Sequence, residues 1–348
     1  MFLKPISYKK SYENIIASKI IVWMWVNIFQ ECFKILKSNT VINDSDIIRE
    51  AILSGKIQYQ DGVFTGTFTN SLSAELEKLG AKYSKYRKGY LLTKDKLPVN
   101  IVWAIDTAKA AAFAKATAIN QFLLVQLSQI DKLAEKLIFD TAVNEIMKNL
   151  QERVYKNARQ HKIELITPKL DDFMKNEIAK RYTENLDFWI KNWTEGQIVR
   201  MRNDVSVMAN VGKSTKDIAE YIQNQFGISQ KHAKFLARNE SAIATSSYLA
   251  AKYKEEGFSS FKWHTIMDGR ERELHKELNG KVFRFDNPPI IDERTGQKGI
   301  PGQTYNCRCT FSPYIDGEFL RNRKAMFKAQ NSLLEKILNC LKLKQKTA

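Results

Sequence analysis

Apolar residues recur at helical spacing from about Tyr8 to Lys37, and they fall on more than one face. A helix of that kind wants burial on several sides, in a core or against another subunit. Asp44, Ser45 and Asp46 then offer N-caps for a short helix ending near Gly55. The period changes after Lys56. Ile57, Tyr59, Val63, Phe64 and Phe68 flank Asp61-Gly62. An Asp-Gly pair between β-formers predicts a hairpin, because both central turn positions need positive φ. Thr69 to Leu79 returns to helical spacing and stops at Gly80. Tyr83, Tyr86 and Tyr90 follow among Lys82, Lys85, Arg87 and Lys88. That interleaving fits a second short β-ribbon with a solvated basic face, or a surface that stacks on bases and grips phosphates.

Leu97-Pro98 marks a boundary. From about Asp106 to Gln160 there is neither proline nor glycine, which predicts one very long helix or two with a tight joint. Alanines from Ala108 to Ala118 make its first third slim enough for close packing. Thr167-Pro168 interrupts the pattern, and another helix follows from about Leu170 to Met208. Gly212 opens a second boundary. Ser214 and Asp217 have the spacing of a capping box. The stripe Ile218, Tyr221, Ile222, Phe226 is expected to end at Gly227, with Ser229 capping a further helix to Gly257. That helix carries many small residues, among them Ser241, Ala242, Ser246 and Ala250. A compact unit can pack closely on it, and the candidate begins at Phe261. Arg321 to Lys346 then reads as a basic helix with Leu333, Leu334, Ile337, Leu338 and Leu341 on one side. A tail of this type docks on an acidic partner or nucleic acid, or presents a solvated face.

Composition adds two constraints. The 348 residues suffice for two or three domains, and 44% hydrophobic content implies a packed core. The net charge of +17 gives a positive field that suits nucleic acid, an anionic membrane or an acidic protein surface, although a lysine-rich coding bias produces the same balance. Four cysteines are too few for a disulfide scaffold and fit a reducing compartment. Cys32 and Cys340 stand alone on helical patterns and read as ordinary thiols. The apolar run Ile20 to Phe29 is shorter than the ~20 residues that span a bilayer. It is followed by Gln30-Glu31 where a cleaved leader has small residues, so neither export nor membrane insertion is expected.

Chemistry concentrates between Phe261 and Pro313, which hold two of the four cysteines and two of the four histidines. Cys307 and Cys309, with His275, supply three zinc-type ligands, and Asp268, His264 or water can complete the set. On a plain extended strand the two sulfurs of Cys-x-Cys lie too far apart, so a local turn is required. Two reduced core thiols, or a redox-labile pair, are the competing readings. His264, Asp268, His275 and Asn306 also hold the side chains of a metal-dependent nuclease centre. Asp268, Arg270 and Arg272 are expected to bridge to Glu240 in a structural ion network. There is no phosphate-cradling glycine loop and no serine-nucleophile elbow.

These residues, in order, carry a resemblance. Ala237-Arg238-Asn239-Glu240, Gly257, Trp263-His264-Thr265, Asp268 to Arg272, His275 to Phe283, Pro301-Gly302 and Asn306 to Cys309 together resemble the phage minor head protein family, the head-morphogenesis group that includes the F protein of phage Mu. The likeness spans about Gly212 to Pro313. It implies a virion structural protein present in few copies, associated with the portal and assisting head assembly or DNA delivery, with no established catalysis. In one common form of the family a Cys-x-x-Cys stands where this chain has Arg272 and His275, so a four-ligand site loses one thiol here. Thr304-Tyr305 likewise replaces a His-Pro found in many relatives.

The expected architecture is therefore mainly α with a smaller α+β C-terminal domain. Its segments are residues 1–105 (helical with a hairpin), 106–211 (long-helix body), 212–316 (Mu F-like) and 317–348 (basic tail). The expected role is a minor head protein of the virion, at the portal vertex or head interior, made in the host cytoplasm. Its expected partners are portal, major capsid or scaffold proteins and double-stranded DNA, and its expected metal is a structural zinc. The alternatives are a metal-dependent nuclease or a toxin-like effector carried in the particle. A membrane-associated ejection protein rests only on Ile20 to Phe29.

Overall fold

The computed structural model describes residues 4–38, 46–135, 137, 139–161, 163–165 and 171–346, with side chains up to residue 332 apart from residues 140 and 330. Asp44, Ser45, Thr167-Pro168, the apolar positions of the tail from Leu333 on and the side chain of Cys340 lie outside the described residues. The chain is mainly helical with small antiparallel sheets, as its periodicity predicts.

Two compact units interleave along the sequence, a partition different from four consecutive segments. One comprises Ile21–Lys136 and Ile190–Lys231. The N-terminal helix is continuous but not regular: α1 (Lys10–Met24) passes through a π-helical stretch, Trp25–Phe29, into α2 (Gln30–Lys37). Lys10–Lys37 as a whole is long and apolar enough, by length and composition, to cross a membrane. Its residues Ile16, Ile20, Met24, Ile28, Phe29 and Cys32 are nonetheless buried in protein. The Trp23 indole donates to the Leu133 carbonyl at 2.8 Å, and the rings of Trp25 and Phe29 each lie 5.0 Å from Phe226. Burial follows one stripe, however, and Ile15, Val22 and Val26 stay exposed, so the several-sided burial expected from the all-round apolar pattern is not found among the described residues of this chain.

Asp46 caps α3 (Ile47–Leu53), accepting from Ile48 and Arg49 N–H. Strands β1 (Ile57–Gln60) and β2 (Val63–Gly66) form the expected hairpin, with Asp61 at φ 51° and Gly62 at φ 78°. Thr69 caps α4 (Asn70–Lys78), and β3 (Lys82–Ser84) and β4 (Gly89–Leu91) complete a sheet of order β1-β2-β4-β3. Its apolar side, with Ile57, Tyr59, Phe64 and Tyr90, forms a core with Ile48, Leu72, Leu76 and Ile101.

The helix after Pro98 corrects two expectations. Helix α5 spans Val99–Ser128, so it starts before Asp106 and a boundary at residue 105 would cut it. Pro98 lacks an N–H and ends the preceding extended chain, which sets the start. The segment up to Gln160 holds two breaks, because α6 (Ile130–Ala134) and α7 (Asp140–Gln160) follow separately. Burial of Ile130, Leu133, Leu137 and Phe139 selects those breaks, and no proline or glycine announces them.

Helix α8 (Asp172–Asn210) ends at Gly212, φ 74°, where Lys213 N–H reaches back to the Met208 carbonyl. The Ser214–Asp217 capping box is reciprocal: Asp217 Oδ2 accepts from Ser214 N–H, and Ser214 Oγ accepts from Asp217 N–H. It opens α9, a single helix of 41 residues, Thr215–Glu255. Gly227 therefore does not end a helix, and Ser229 is not a cap but donates to the Gln225 carbonyl one turn back. A mid-helix glycine costs only about 1 kcal/mol. The buried stripe resumes at Ala233, Leu236 and Ala237 and outweighs it.

The second unit contains residues up to Ile20, Leu137–Trp189 and His232 onwards. After Gly257 come β5 (Ser260–His264), α10 (Glu273–Leu278), β6 (Val282–Arg284), β7 (Ile290–Asp292), β8 (Gln297–Lys298) and β9 (Thr310–Tyr314). The sheet β6-β5-β9 is antiparallel, with Phe261 opposite Phe283 and Pro313, and Trp263 opposite Phe311. Phe261, Phe285 and Phe311 pack ring to ring at 5.0–5.9 Å. The small residues of α9 receive this module as expected. Ser246 Oγ donates to the Pro301 carbonyl at 2.5 Å, and Gly302, at φ 91°, sits directly over Ser246 and Ala242. Helix α11 (Gly317–Lys346) forms the tail.

Candidate metal centre

The sequence from Thr304 to Cys309 turns before it becomes strand. Cys307 N–H closes on the Thr304 carbonyl, and Asn306 adopts φ 55°, a conformation Asn tolerates better than most residues. Asn306 is fixed in that turn from α9: its N–H donates to Asn239 Oδ1, and its own Oδ1 accepts from Arg238. The turn supplies the bend that Cys-x-Cys needs. As a result Cys307 and Cys309 both face His275 of α10.

His275 Nδ1 lies 3.6 Å from Cys307 Sγ and 3.5 Å from Cys309 Sγ, and all three residues are buried. Its Nε2 meets the Ile291 carbonyl at 3.0 Å. A carbonyl can only accept, so Nε2 carries a proton; Nδ1, facing the two sulfurs, offers a lone pair when the imidazole is neutral and donates to Cys307 when it is protonated. Bond lengths of roughly 2.3 Å to sulfur and 2.0 Å to nitrogen in a tetrahedron put those atoms about 3.5 Å apart. The two nitrogen–sulfur separations are compatible with that geometry and equally with Cys–His hydrogen bonds, and the Ile291 carbonyl stands where a ligating histidine would have its outer partner. Thr265 Oγ1 donates to the His275 backbone carbonyl at 2.6 Å and itself accepts from Trp263 Nε1, while the Trp263 ring lies edge-on to the imidazole.

The electrostatics suit a cation. Hydrogen bonding from the Cys309 thiol pulls Cys307 far below the ordinary thiol range, against burial, and His275 pulls it further. The same coupling, with burial, pushes Cys309 up. Burial acts to lower His275, but the bonds to Cys307 and Ile291 outweigh it and the net shift is upward.

No other His, Cys, Asp or Glu joins the three among the described residues. Neither Asp268 nor His264 is a fourth ligand. His264 Nε2 bonds Ser312 Oγ at 2.8 Å on the neighbouring strand. Asp268 is taken by two arginines, with Arg308 clasping it through both nitrogens and Arg270 at 2.7 Å. These bonds hold its carboxyl far below the usual range. The open side of the cluster faces a cavity of about 150 Å³ lined by Thr265, Glu271, Arg272 and Asn306, with room for water. Arg272 does not pair with Asp268 but donates to the Tyr305 carbonyl at 2.6 Å. Glu240 joins neither arginine. It is buried on α9 and accepts from Asn239, so the four expected residues fall into three separate arrangements, with only Asp268 and Arg270 paired. Arg308 is the residue that sequence reasoning missed. Its place between the two cysteines, with the acidic residues Asp268 and Glu271 in another loop of the module, was the available signal. The four candidate nuclease residues do not converge, since His264 and Asn306 are each held by other partners.

Residues 200–312 match the family model described as Phage Mu protein F like protein. That stretch is Mu F-like. The Mu F-like segment contains α9, the strand module as far as Ser312 in β9, and all three candidate ligands. An uncharacterized protein of Haemophilus influenzae is 30% identical over 127 residues, which are 36% of this chain and 27% of that protein. An NAD(+)–arginine ADP-ribosyltransferase of Enterococcus faecalis is 32% identical over 114 residues, 30% of this chain and 23% of that one. The chain thus spans about a quarter of the length of these curated relatives. No solved structure matches.

Proposed function

We propose that this chain is a minor head protein of a phage-type virion that acts in head morphogenesis. The observation that carries the reading is the Mu F-like segment, 200–312, whose polar residues are spent on holding a small fold together. His275, Cys307 and Cys309 hold a structural zinc that ties α10 to the turn before β9. The reading extends to association with portal, major capsid or scaffold proteins, to a place at the portal vertex or head interior, and to contact with double-stranded DNA through the surplus positive charge. Purified particles are to be tested by mass spectrometry and by co-purification with portal assemblies. Presence in few copies with the portal supports the role, and absence from particles overturns it. Metal analysis tests the zinc: near-stoichiometric zinc that is lost in His275→Ala and Cys309→Ser is expected, and a zinc-free wild-type protein refutes the site.

One observation favours a second reading, a toxin-like effector carried in the particle: the Enterococcus faecalis relative is named as an ADP-ribosyltransferase. Transfer of label from NAD(+) to arginine by the purified chain would establish it in place of the structural role. The nuclease reading draws no comparable support from the geometry.

A further inference from the structure

Apart from Tyr83, whose ring packs on Tyr90, the β3–β4 hairpin carries a side-chain set that the fold does not use. Tyr86, at its tip, is 97% exposed and Tyr83 is 53% exposed. Lys82, Lys85, Arg87 and Lys88 are exposed beside them and make no ion pair among the described residues. No acidic residue occurs between Lys78 and Lys94. A basic turn is ordinary on a protein surface. A large aromatic ring left almost wholly in water at the centre of four unpaired cations is not, because ring burial is favourable and solvation of the turn needs no ring.

The base of this hairpin is rigid. Tyr90 is buried, packs edge-on to Phe68 and Tyr83, and donates to Glu77 at 3.2 Å. Ser84 Oγ accepts the Arg87 N–H, Lys88 turns the chain at φ 51°, and Gly89 lies so close under the Phe64 carbonyl that a Cβ would collide with it. The backbone of the turn is therefore braced, so the ordering cost of binding falls mainly on the exposed side chains. Cations spaced along a ribbon, with an unburied ring between them, match a phosphate backbone bearing stackable bases. An acidic protein surface satisfies the charges but leaves the ring unexplained.

We propose that the β3–β4 hairpin is a nucleic-acid contact in which Lys82, Lys85, Arg87 and Lys88 grip phosphates and Tyr86 stacks on a base. The proposal deepens the reading that the chain meets DNA and is independent of where in the virion it does so. The test uses the full chain and fluorescence anisotropy with a labelled duplex and a single strand of equal length, over a salt series. Tyr86→Ala is expected to weaken single-strand binding about tenfold, within the range of one lost base stack, and duplex binding less. Lys85→Ala/Arg87→Ala is expected to flatten the salt slope by about 1.8 for the duplex and about 1.4 for the single strand. Lys148→Ala/Lys156→Ala on α7, equal in charge, is expected to leave both unchanged. All these side chains are exposed, so unaltered thermal unfolding confirms that folding is intact. The proposal fails if the hairpin variants bind within twofold of wild type, or if the α7 control loses as much. It also fails if poly-glutamate is bound through the hairpin while DNA is not. Failure of DNA binding leaves the head reading standing, since particle association tests that separately.

Discussion

Gly302→Ala tests how the Mu F-like module is seated on α9. Gly302 has φ 91°, and a Cβ added there falls inside the contact radius of Ser246 Oγ, 3.3 Å from the Ala242 carbonyl and 3.4 Å from Ser246 Cβ. Ser246 can rotate away, but that breaks its bond to the Pro301 carbonyl and strands a buried acceptor. The Ala242 carbonyl belongs to the helix backbone and cannot yield. The left-handed conformation costs an alanine about 1–2 kcal/mol, and the lost bond adds about 1 kcal/mol. The sum, about 2–3 kcal/mol, corresponds to local opening some 30- to 150-fold more frequent. Hydrogen exchange read by mass spectrometry over β5 and β9 measures it. Ser246→Ala alone should cost about 1 kcal/mol. In the double variant that bond is lost only once, so the cycle should show a coupling of about 1 kcal/mol. A cost below 0.5 kcal/mol on the order of surface effects, or strict additivity, would refute the close seating.

The buried Lys252 ammonium sits between Glu256 at 2.8 Å and the partly exposed Glu255 at 3.0 Å, so Glu256→Ala, which removes its buried partner and leaves only Glu255, is expected to cost about 3 kcal/mol in chemical denaturation. Lys252→Met/Glu256→Leu should recover most of that loss, and a double variant as weak as the single would contradict the account. Burial raises the Glu240 pKa above the ordinary carboxylate range. The unfolded chain then loses its proton first, so this contribution is full at acid pH and is lost as pH rises through the folded value. Glu240→Gln should be relatively more stable at pH 8 than at pH 4 when compared with wild type, and an unchanged pH profile would refute the shift. The Asp268 carboxyl is depressed by Arg308 and Arg270. Its contribution is present above the unfolded value and fades as pH falls below it, so Asp268→Asn should flatten the acid limb of the unfolding profile.

Much of this was legible in the sequence, for local reasons. Asp61-Gly62 has one comfortable hairpin turn, Gly80 and Gly212 end helices by adopting positive φ, and Ser214 and Asp217 cap each other across three residues. His275, Cys307 and Cys309 were recognisable as soft ligands from type alone. What failed were judgements in which a local signal competes with distant packing. Gly227 reads as a stop, yet the buried stripe on both sides carries the helix through it. The breaks between α5 and α7 have no breaker residue, because buried side chains around Leu133 and Phe139 set them.

The sequence by itself determined the helical class, the hairpin, the caps and the family likeness. All of these depend on periodicity or on residues a few positions apart, where chain geometry leaves little choice. Only the tertiary structure decided which charges pair and which ligands converge. Asp268 can reach Arg270, Arg272 or Arg308 by chemistry alone; the turn at Asn306, held from α9, brings Arg308 to it beside Arg270, while Arg272 goes to the Tyr305 carbonyl. The same turn draws Cys307 and Cys309 to within 3.6 Å of an imidazole more than thirty positions away, a meeting fixed by packing and not by spacing.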